Sequence, residues 1–299
     1  MHLSTVLVVE LVVIGLITGG LAGMLGAGGG FVTVPLLVAI GMNIHVAVSL
    51  SLAYVVVVAG SGVLRHLRQG TIDLPLGLIL MGPGIVAAQL GSQLSHRLPS
   101  QALELMVALL LVSVLVFFST VHAPSHETAP AAGLPAAPAP EPPPWALRPL
   151  RLERVRSVRG RIYRYTVRIP RAALIGASVG LVSGLFGVGG GFILVPLLVG
   201  VVHAPMQVAV GSDLVAIMGN GVSGAIGHVI AGDIHVGTIL RLGLPLICGG
   251  VVGSQLGARA VTLLSQGRLR LLFNALLVSA TLYMGSAGLG FITAVSSKG

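Results

Sequence analysis

The chain has 299 residues, of which 55% are hydrophobic and only 8% are charged, and its mean hydropathy is +1.00. Because a soluble domain carries roughly 25% charged residues, this composition excludes a soluble globular protein and indicates an integral membrane protein. The formal charge of +9 is concentrated in the nine arginines of residues 148–171, a pattern typical of a cytoplasmic membrane surface rather than of a nucleic-acid partner.

Four apolar stretches in each half of the chain are candidate membrane spans, for which about 17–25 residues are needed. They cover residues 3–25, 46–64, 74–94 and 102–120, then 172–186, 208–230, 239–256 and 269–289. After the first stretch of each half comes a shorter apolar segment, at residues 31–40 and 192–202. At about 1.5 Å per residue, such a segment is too short to cross a hydrocarbon core of about 30 Å, so each is predicted to be a half-helix.

An internal repeat relates the two halves. The glycine-rich segment 26–30 returns 161 residues later at 187–191, and eleven of the sixteen aligned positions around it are identical. Further on, the Gly-Ser-Gln-Leu of residues 91–94 returns intact at 253–256. The pattern predicts an all-α polytopic membrane protein with about eight transmembrane helices from two tandem repeats, each with a glycine-rich break and a short half-helix.

The repeats divide the chain into three parts: a first transmembrane repeat at residues 1–120, a linker at 121–170 and a second transmembrane repeat at 171–299. The beginning of the linker is rich in proline and alanine, so it is not expected to form a core. Basic and apolar residues alternate over 161–169 with the period of a strand. This alternation favours a short hairpin on the membrane surface.

The positive-inside rule places the linker and the basic residues 65–68 on the cytoplasmic side of the plasma membrane. With four spans per half, both termini then lie inside and the two halves share one orientation. Arg259, Arg268 and Arg270 fall on the outer side in that arrangement and oppose it. The alternative counts each short segment as a crossing, which gives an inverted repeat.

The two glycine clusters are candidates for binding a small anion. Glycines leave the backbone N–H groups unobstructed, and a helix that begins there adds its positive dipole end. The alternative is that they only allow helices to pack closely. The candidate substrate-binding glycines are Gly28, Gly29, Gly30, Gly189, Gly190 and Gly191.

Asp213 lies five residues into an apolar span, where a carboxylate is costly unless it faces a cavity or a partner. Asn220 lies seven positions further on and therefore on the same helical face. Asp213 is the candidate proton-coupling residue, because burial favours its neutral form, and a purely structural hydrogen bond is the alternative. The other polar candidates for substrate contact are Asn220, Ser51, Ser212, Gln93 and Gln255.

The sequence disfavours an enzyme. No Ser/His/Asp or Cys/His grouping, His-x-x-x-His or paired carboxylates occur within the apolar spans. The single cysteine, Cys248, cannot form an intrachain disulfide or a thiolate metal cluster. No metal and no cofactor are predicted.

The Gly-x-x-Gly-x-Gly-Gly-Gly-Phe-x-x-Val-Pro-Leu motif of both halves resembles that of the TauE/SafE family of sulfite and organosulfonate exporters. Two further patterns strengthen the resemblance: the Ala-Val-x-x-Ser/Asp-Leu runs at 47–52 and 209–214, and the later Gly-x-x-x-His. The resemblance implies a multi-pass plasma-membrane protein of about eight spans that moves sulfur-containing anions such as sulfite or sulfonates. Where the family has a Thr-Ser pair, this chain has Leu50-Ser51 and Ser212-Asp213, which leaves the exact substrate open.

The function expected from these observations is secondary transport of a small anion, with the bilayer and a coupled proton as the other partners. A passive anion channel is the alternative within transport. A membrane assembly subunit that docks through the basic loop is the alternative outside it.

Overall fold

The computed structural model describes residues 4–25, 28–68, 70–120, 151–158, 161–202, 204–260 and 266–290. Within these residues the chain forms ten helices and one β-hairpin. The helices of the first half are α1 Thr5–Leu25, α2 Gly30–Ala39, α3 Ile44–Arg68, α4 Leu74–Arg97 and α5 Ser100–Thr120. The hairpin strands are β1 Arg151–Val158 and β2 Arg161–Arg168, and the later helices are α6 Ile169–Phe186, α7 Gly191–Gly200, α8 Met206–Ala231, α9 Val236–Ala260 and α10 Gln266–Gly288.

Six of the described helices, α1, α3, α4, α6, α8 and α9, are long and apolar enough to cross a membrane. The prediction of a helical, polytopic membrane protein is therefore confirmed. Eight spans would also require α5 and α10 to cross, and that count stays a prediction. Among the described residues the hairpin is the one departure from an all-α class, and its second strand coincides with the alternating residues that predicted it. The proline- and alanine-rich part of the predicted linker, 121–150, lies outside the described residues.

The two predicted half-helices are present as α2 and α7, each with ten residues. Gly29 and Gly190 precede them as N-caps in the left-handed conformation, with φ of 71° and 89°. Because side chains with a Cβ rarely adopt a positive φ, glycine allows the sharp entry into each short helix.

The equivalent helices α3 and α8 run antiparallel. Gly62, near the end of α3, lies against Leu214 near the start of α8, whereas Gly224, near the end of α8, lies against Leu52. The expectation that both halves share one orientation is therefore wrong, and the inverted alternative is the one that fits. Helices α1 and α3 both run parallel to α9 and therefore to each other. The chain must return across the bundle between them, so each short segment counts as a crossing.

The inverted arrangement removes the conflict that opposed the cytoplasmic linker. Since α3 and α9 are parallel, Arg65 and Arg259 lie near the same end of the bundle, together with the hairpin that leads into α6. Arg268 and Arg270 lie at the beginning of α10, which follows α9 at that end. We call this end the linker side; Arg97 is at the opposite end, where α4 stops.

This distribution predicts that the linker side is cytoplasmic, because basic residues favour that face. A cysteine at the exposed Thr166 of β2 should resist an impermeant thiol reagent in intact cells and react after lysis, once Cys248 has been replaced by alanine. A cysteine at the exposed Gln101 of α5, at the opposite end, should react in both cases. The reverse pattern of labelling would mean that the protein is inserted the other way.

Two seams of glycine hold the halves together, one between α1 and α9 and one between α4 and α6. In the second seam, a Cβ added to Gly176, Gly180 or Gly184 would collide with the backbone of α4. The first seam includes Gly15, whose Cβ would meet the carbonyl oxygen of Leu246. Small residues let membrane helices approach backbone to backbone, so these glycines gain van der Waals contact between the helices.

Adjacent glycines of α1 provide a matched test of the first seam. A Cβ at Gly19 would lie 2.7 Å from the Cα of Gly250, whereas the nearest atom to a Cβ at Gly20 is the Gly253 oxygen at 3.9 Å. Gly19→Ala should lower the free energy of unfolding by about 1–3 kcal/mol, because the helices must move apart. Gly20→Ala should be neutral or raise it by about 0.5–1 kcal/mol. Denaturant melts in detergent measure both, and equal effects would contradict the seam.

A buried carboxylate fastens the hairpin to the helices. Asp73, fully buried in the α3–α4 loop, accepts bonds from Arg154 Nε at 2.8 Å, Arg154 Nη2 at 2.6 Å and the Tyr165 hydroxyl at 2.5 Å. Its side chain also caps α4, and its N–H donates to Ser212 Oγ at 3.1 Å. Burial alone would raise the pKa of Asp73, but the bonds from Arg154 and Tyr165 hold it below its usual value of 3.8. The attachment is therefore complete above that pH and lost only as the pH falls through the lowered pKa.

Candidate functional site

The two glycine-rich turns meet at the centre of the bundle. A Cβ added at Gly28 would lie 3.6 Å from Val55 and 3.7 Å from Ile217, and one at Gly189 would lie 2.8 Å and 3.4 Å from the same two side chains. The rings that follow the turns, Phe31 and Phe192, pack with their centroids 5.4 Å apart. The structure thus brings together the two clusters that the repeat marks in the sequence.

Ser51 joins the two turns. Its hydroxyl donates to the carbonyl oxygen of Gly187 at 2.7 Å and lies 3.3 Å from that of Gly30, and the residue is fully buried. These bonds crosslink the turns of the two halves. The Ser51 side chain therefore has a packing role at the centre, and its predicted contact with substrate stays a prediction.

Most of the candidate glycines are packed against protein atoms. A Cβ at Gly29 would lie 2.6 Å from the Thr18 oxygen, and one at Gly30 would lie 2.8 Å from the Val188 oxygen. Gly190 approaches Val179 closely, and Gly191 is buried as the first residue of α7. These contacts favour the close-packing alternative for those positions.

Gly28 is the candidate glycine that lines a cavity. This cavity, of about 60 Å³, lies between α1, α3, α8 and α9, near the linker-side ends of α1, α3 and α9. Its polar wall comes from α3 and α9, and its apolar wall includes Val58, Ala59 and Leu214. The polar side chains of the wall are Ser61, Arg65, His66, Ser254 and Gln255.

Arg65 gives the cavity its positive charge. Its guanidinium donates to Gln255 Oε1, and no carboxylate among the described residues lies within ion-pair distance of it. A planar guanidinium presents a fork of donors that matches the oxygens of a carboxylate, sulfonate or similar oxyanion. The cavity is therefore suited to a small oxyanion rather than to a cation or an apolar ligand.

The remaining polar groups of the wall are already oriented. Ser61 Oγ donates to the Val58 oxygen at 2.7 Å and Ser254 Oγ to the Val251 oxygen at 2.9 Å. His66 Nδ1 lies 2.8 Å from Thr71 Oγ1. These contacts hold the two serines against their own helices and His66 against the α3–α4 loop, and they leave the guanidinium as the charged group available to a ligand.

The repeat-related position at the opposite end is filled by protein. The equivalent of Arg65 is Gly227, whose Cβ would collide with Ser92 Oγ and lie 2.9 Å from Gln89 Oε1. The equivalent of His66 is His228, whose Nε2 is 3.0 Å from the Gly184 oxygen. The two repeats thus differ in packing where glycine replaces arginine, and the cationic cavity lies on the linker side.

At that opposite end Asp233, in the α8–α9 loop, ties the ends of two helices together. Its carboxylate oxygens lie 2.6 Å from His228 Nδ1 and 2.7 Å from His96 Nδ1, which join α8, α4 and the α8–α9 loop. Burial acts to raise the pKa of Asp233, yet the hydrogen bonds from the two histidines lower it below 3.8. The contact is therefore retained until the pH falls through that lowered pKa.

Asp213 and Asn220 are fully buried in α8, and within the described residues none of their side-chain oxygens or nitrogens has a hydrogen-bond partner. Asn220 packs against Gly84 of α4. Buried polar groups without partners are rare, and each needs an explanation such as function or an absent ligand. The two residues remain candidates, although neither lines the Arg65 cavity.

The other two candidates divide between the ends of the bundle. Ser212 accepts the N–H of Asp73 and so belongs to the attachment of the hairpin. Gln93 is exposed near the end of α4 that faces away from the linker, and it does not share the Gln255 cavity. The predicted contacts of Gln93 and Gln255 with substrate stay predictions, and Gln255 is the one of the two that lines the Arg65 cavity.

The sequence analysis does not predict that Arg65 lines a cavity or that Asp73 anchors the hairpin. In the sequence Arg65 marks only the cytoplasmic side, although within the Ser-Gly-x-x-x-His stretch it is the position where the second repeat has glycine instead of arginine. Asp73 carried a signal, since an aspartate before Leu-Pro is typical of a helix N-cap. Its arginine partner lies 81 residues away, and no local pattern predicts that pairing.

Comparison with known proteins identifies relatives of this chain by sequence. The family described as sulfite exporter TauE/SafE matches residues 11–284. A probable membrane transporter protein of Xylella fastidiosa (strain Temecula1) is 27% identical over 280 residues, covering 89% of this chain and 92% of its own. The probable membrane transporter proteins YunE and YdhB of Bacillus subtilis are 26% and 25% identical, over 84% and 79% of this chain and 87% and 85% of theirs.

No solved structure matches the chain significantly. The family match spans both halves, including the two glycine turns, the Arg65 cavity and the hairpin. This multi-pass membrane protein belongs to the TauE/SafE sulfite exporter family.

Proposed function

We propose that the protein is a plasma-membrane secondary transporter that exports a small sulfur oxyanion such as sulfite or a sulfonate. The single observation that carries the proposal is the guanidinium of Arg65, which has no carboxylate partner among the described residues and lines a cavity that reaches Gly28 at the meeting point of the two glycine turns. Membership of a sulfite exporter family supports the substrate class, and the relatives' names support transport in general.

The proposed mechanism is alternating access by two inverted repeats, with eight membrane-crossing helices and two half-helices. The antiparallel α3 and α8 cross where both glycine turns contact Val55 and Ile217. Inverted-topology transporters place their substrate site at such an interface, near broken helices. A cavity on the linker side and packed contacts around Gly227 at the other end correspond to a state that is accessible from the linker side.

Coupling to protons is assigned to Asp213 in this proposal. A buried carboxylate is costly within a membrane and marks proton relays in transporters. Its repeat-related partner, Ser51, donates hydrogen bonds to carbonyl oxygens of the turns. Asp213 makes no such bond within the described residues, so its proposed role depends on charge alone: the buried side chain is neutral when protonated and negative once the proton has left.

The proposal is tested with purified protein in liposomes loaded with sulfite. We expect saturable efflux that is accelerated by a pH gradient and inhibited by small sulfonates. Efflux that does not saturate and ignores the gradient would identify a passive channel instead. Absence of sulfite and sulfonate flux, with the protein folded, would overturn the assignment of these substrates.

A further inference from the structure

A second cavity lies at the base of the hairpin, apart from the Arg65 cavity. Its volume is about 390 Å³. Arginine side chains from three successive elements line it: Arg151 begins β1, Arg168 ends β2 and Arg171 lies in the first turn of α6. Tyr165 and Thr166 of β2 also line it, and Val201 and Val202, which follow α7, complete the lining on the side of the helices.

Within the part of the chain that the structure describes, the positive charges around this cavity have no acidic partner. Arg151 and Arg168 are directly opposite each other in the antiparallel register, an arrangement that is destabilising for like charges. Glu153, the acidic residue of β1, is paired in register with Thr166. Among the described residues, neither Arg151, Arg168 nor Arg171 forms an ion pair or side-chain hydrogen bond. A bound anion would remove the repulsion.

The position of the cavity indicates where that anion comes from. Helix α6 is a candidate span that begins at Ile169, so its first turn lies at the level of the lipid headgroups. One turn below Arg171, Leu174 is 69% exposed, and Val201 beside the cavity is 44% exposed. A basic cavity bordered by exposed apolar side chains matches a ligand with an anionic head and acyl chains.

We propose that this cavity binds the phosphate headgroup of an anionic phospholipid through Arg151, Arg168 and Arg171. Guanidinium groups bind phosphate oxygens through paired, charge-assisted hydrogen bonds. The bound lipid would hold the base of the hairpin against the membrane surface, while the bonds from Arg154 and Tyr165 to Asp73 hold the hairpin to the α3–α4 loop. The site is separate from the proposed transport cavity and does not depend on the transported substrate.

The experiment measures the shift in melting temperature of the detergent-purified protein on titration with cardiolipin or phosphatidylglycerol. The variant combines Arg151→Gln, Arg168→Gln and Arg171→Gln. We expect its half-saturating lipid concentration to rise roughly a hundredfold, since each juxtamembrane arginine contributes about fivefold. The matched control removes the same charge at exposed sites elsewhere: Arg68→Gln, Arg97→Gln and Arg241→Gln.

Two further ligands distinguish the sources of phosphate. Phosphatidylcholine tests the need for net negative charge, and soluble glycerol phosphate tests the headgroup alone. An equal loss in the control variant would show that lipid binding follows total charge and would overturn the site. Glycerol phosphate that stabilises the protein as much as the lipid does, at the same concentration, would overturn the lipid assignment in favour of a soluble phosphate compound.

Discussion

Replacing Arg65 with glutamine is expected to reduce gradient-driven anion flux sharply at low anion concentration while leaving the protein folded. Arg65 is the charged side chain of the cavity that reaches Gly28, and glutamine keeps a hydrogen-bond donor there without the charge. Hydrogen bonds to a charged group contribute about 1.5–3 kcal/mol, so the loss of affinity should be about 10-fold to 100-fold. Sulfite flux into or out of liposomes, measured over a range of concentrations, separates this loss from a change in maximal rate.

Arg68→Gln is the matched control, because Arg68 is exposed at the same end of α3 and does not line the cavity. Arg65→Lys should fall between the two, since lysine restores the charge but not the planar fork. If Arg65→Gln and Arg68→Gln reduce flux equally, the effect is one of surface charge and the cavity is not the binding site.

The features that sequence predicted well depend on local chemistry. The half-helices α2 and α7 follow from an apolar segment of ten residues bounded by glycines, whose positive φ at Gly29 and Gly190 no other residue adopts easily. The second strand of the hairpin follows from its alternation of basic and apolar residues. Both depend on neighbours within a few positions, so the pattern is visible in the chain itself.

The relative orientation of the halves was not predictable in this way. Counting spans gives two halves of the same orientation if α2 and α7 are ignored, and an inverted repeat if they are counted as crossings. Hydropathy does not distinguish these two counts. The contacts of Gly62 with Leu214 and Gly224 with Leu52 decide the question, and they join residues more than 150 positions apart. Glycines such as Gly15 likewise read as ordinary positions in a span, because the helix they pack against lies in the other half.

The location of the candidate site was predictable only in part. The repeat identified the glycine turns, and Gly28 does line the cavity. The positive charge of the cavity comes from Arg65. The sequence shows that Gly227 replaces this arginine in the second repeat, but this is one of many differences between the halves. Its significance emerges only when α1, α3, α8 and α9 are brought together around one cavity.

The structure also changes how the glycine turns can be tested. Valine at Gly29 or Gly190 would clash with Thr18 or Val179, so either substitution would disturb the fold whatever its effect on an anion. At Gly28 a Cβ meets side-chain atoms at ordinary contact distance. Substitution there reports on the cavity, with only the cost of a positive φ.

Asp213→Asn should retain anion binding and lose acceleration by a pH gradient. Asparagine has nearly the same shape and is permanently neutral, so it imitates the protonated carboxyl group but cannot release a proton. A negative charge at Asp213 would repel an anionic substrate, whereas the neutral form admits it. Protonation can therefore link the movement of the anion to that of the proton, and Ser51 in the other half cannot titrate to replace it.

The measurement compares sulfite flux in liposomes with and without an imposed pH gradient. Glu10→Gln, which neutralises a carboxylate in α1, is the matched control and should keep the response to the gradient. Asp213 is fully buried and, within the described residues, makes no hydrogen bond, so a structural role would have to depend on contacts other than those of its oxygens. If Asp213→Asn keeps the pH profile of the unmodified protein, Asp213 does not carry the proton, and the neutral acid serves only to fill its place between the helices.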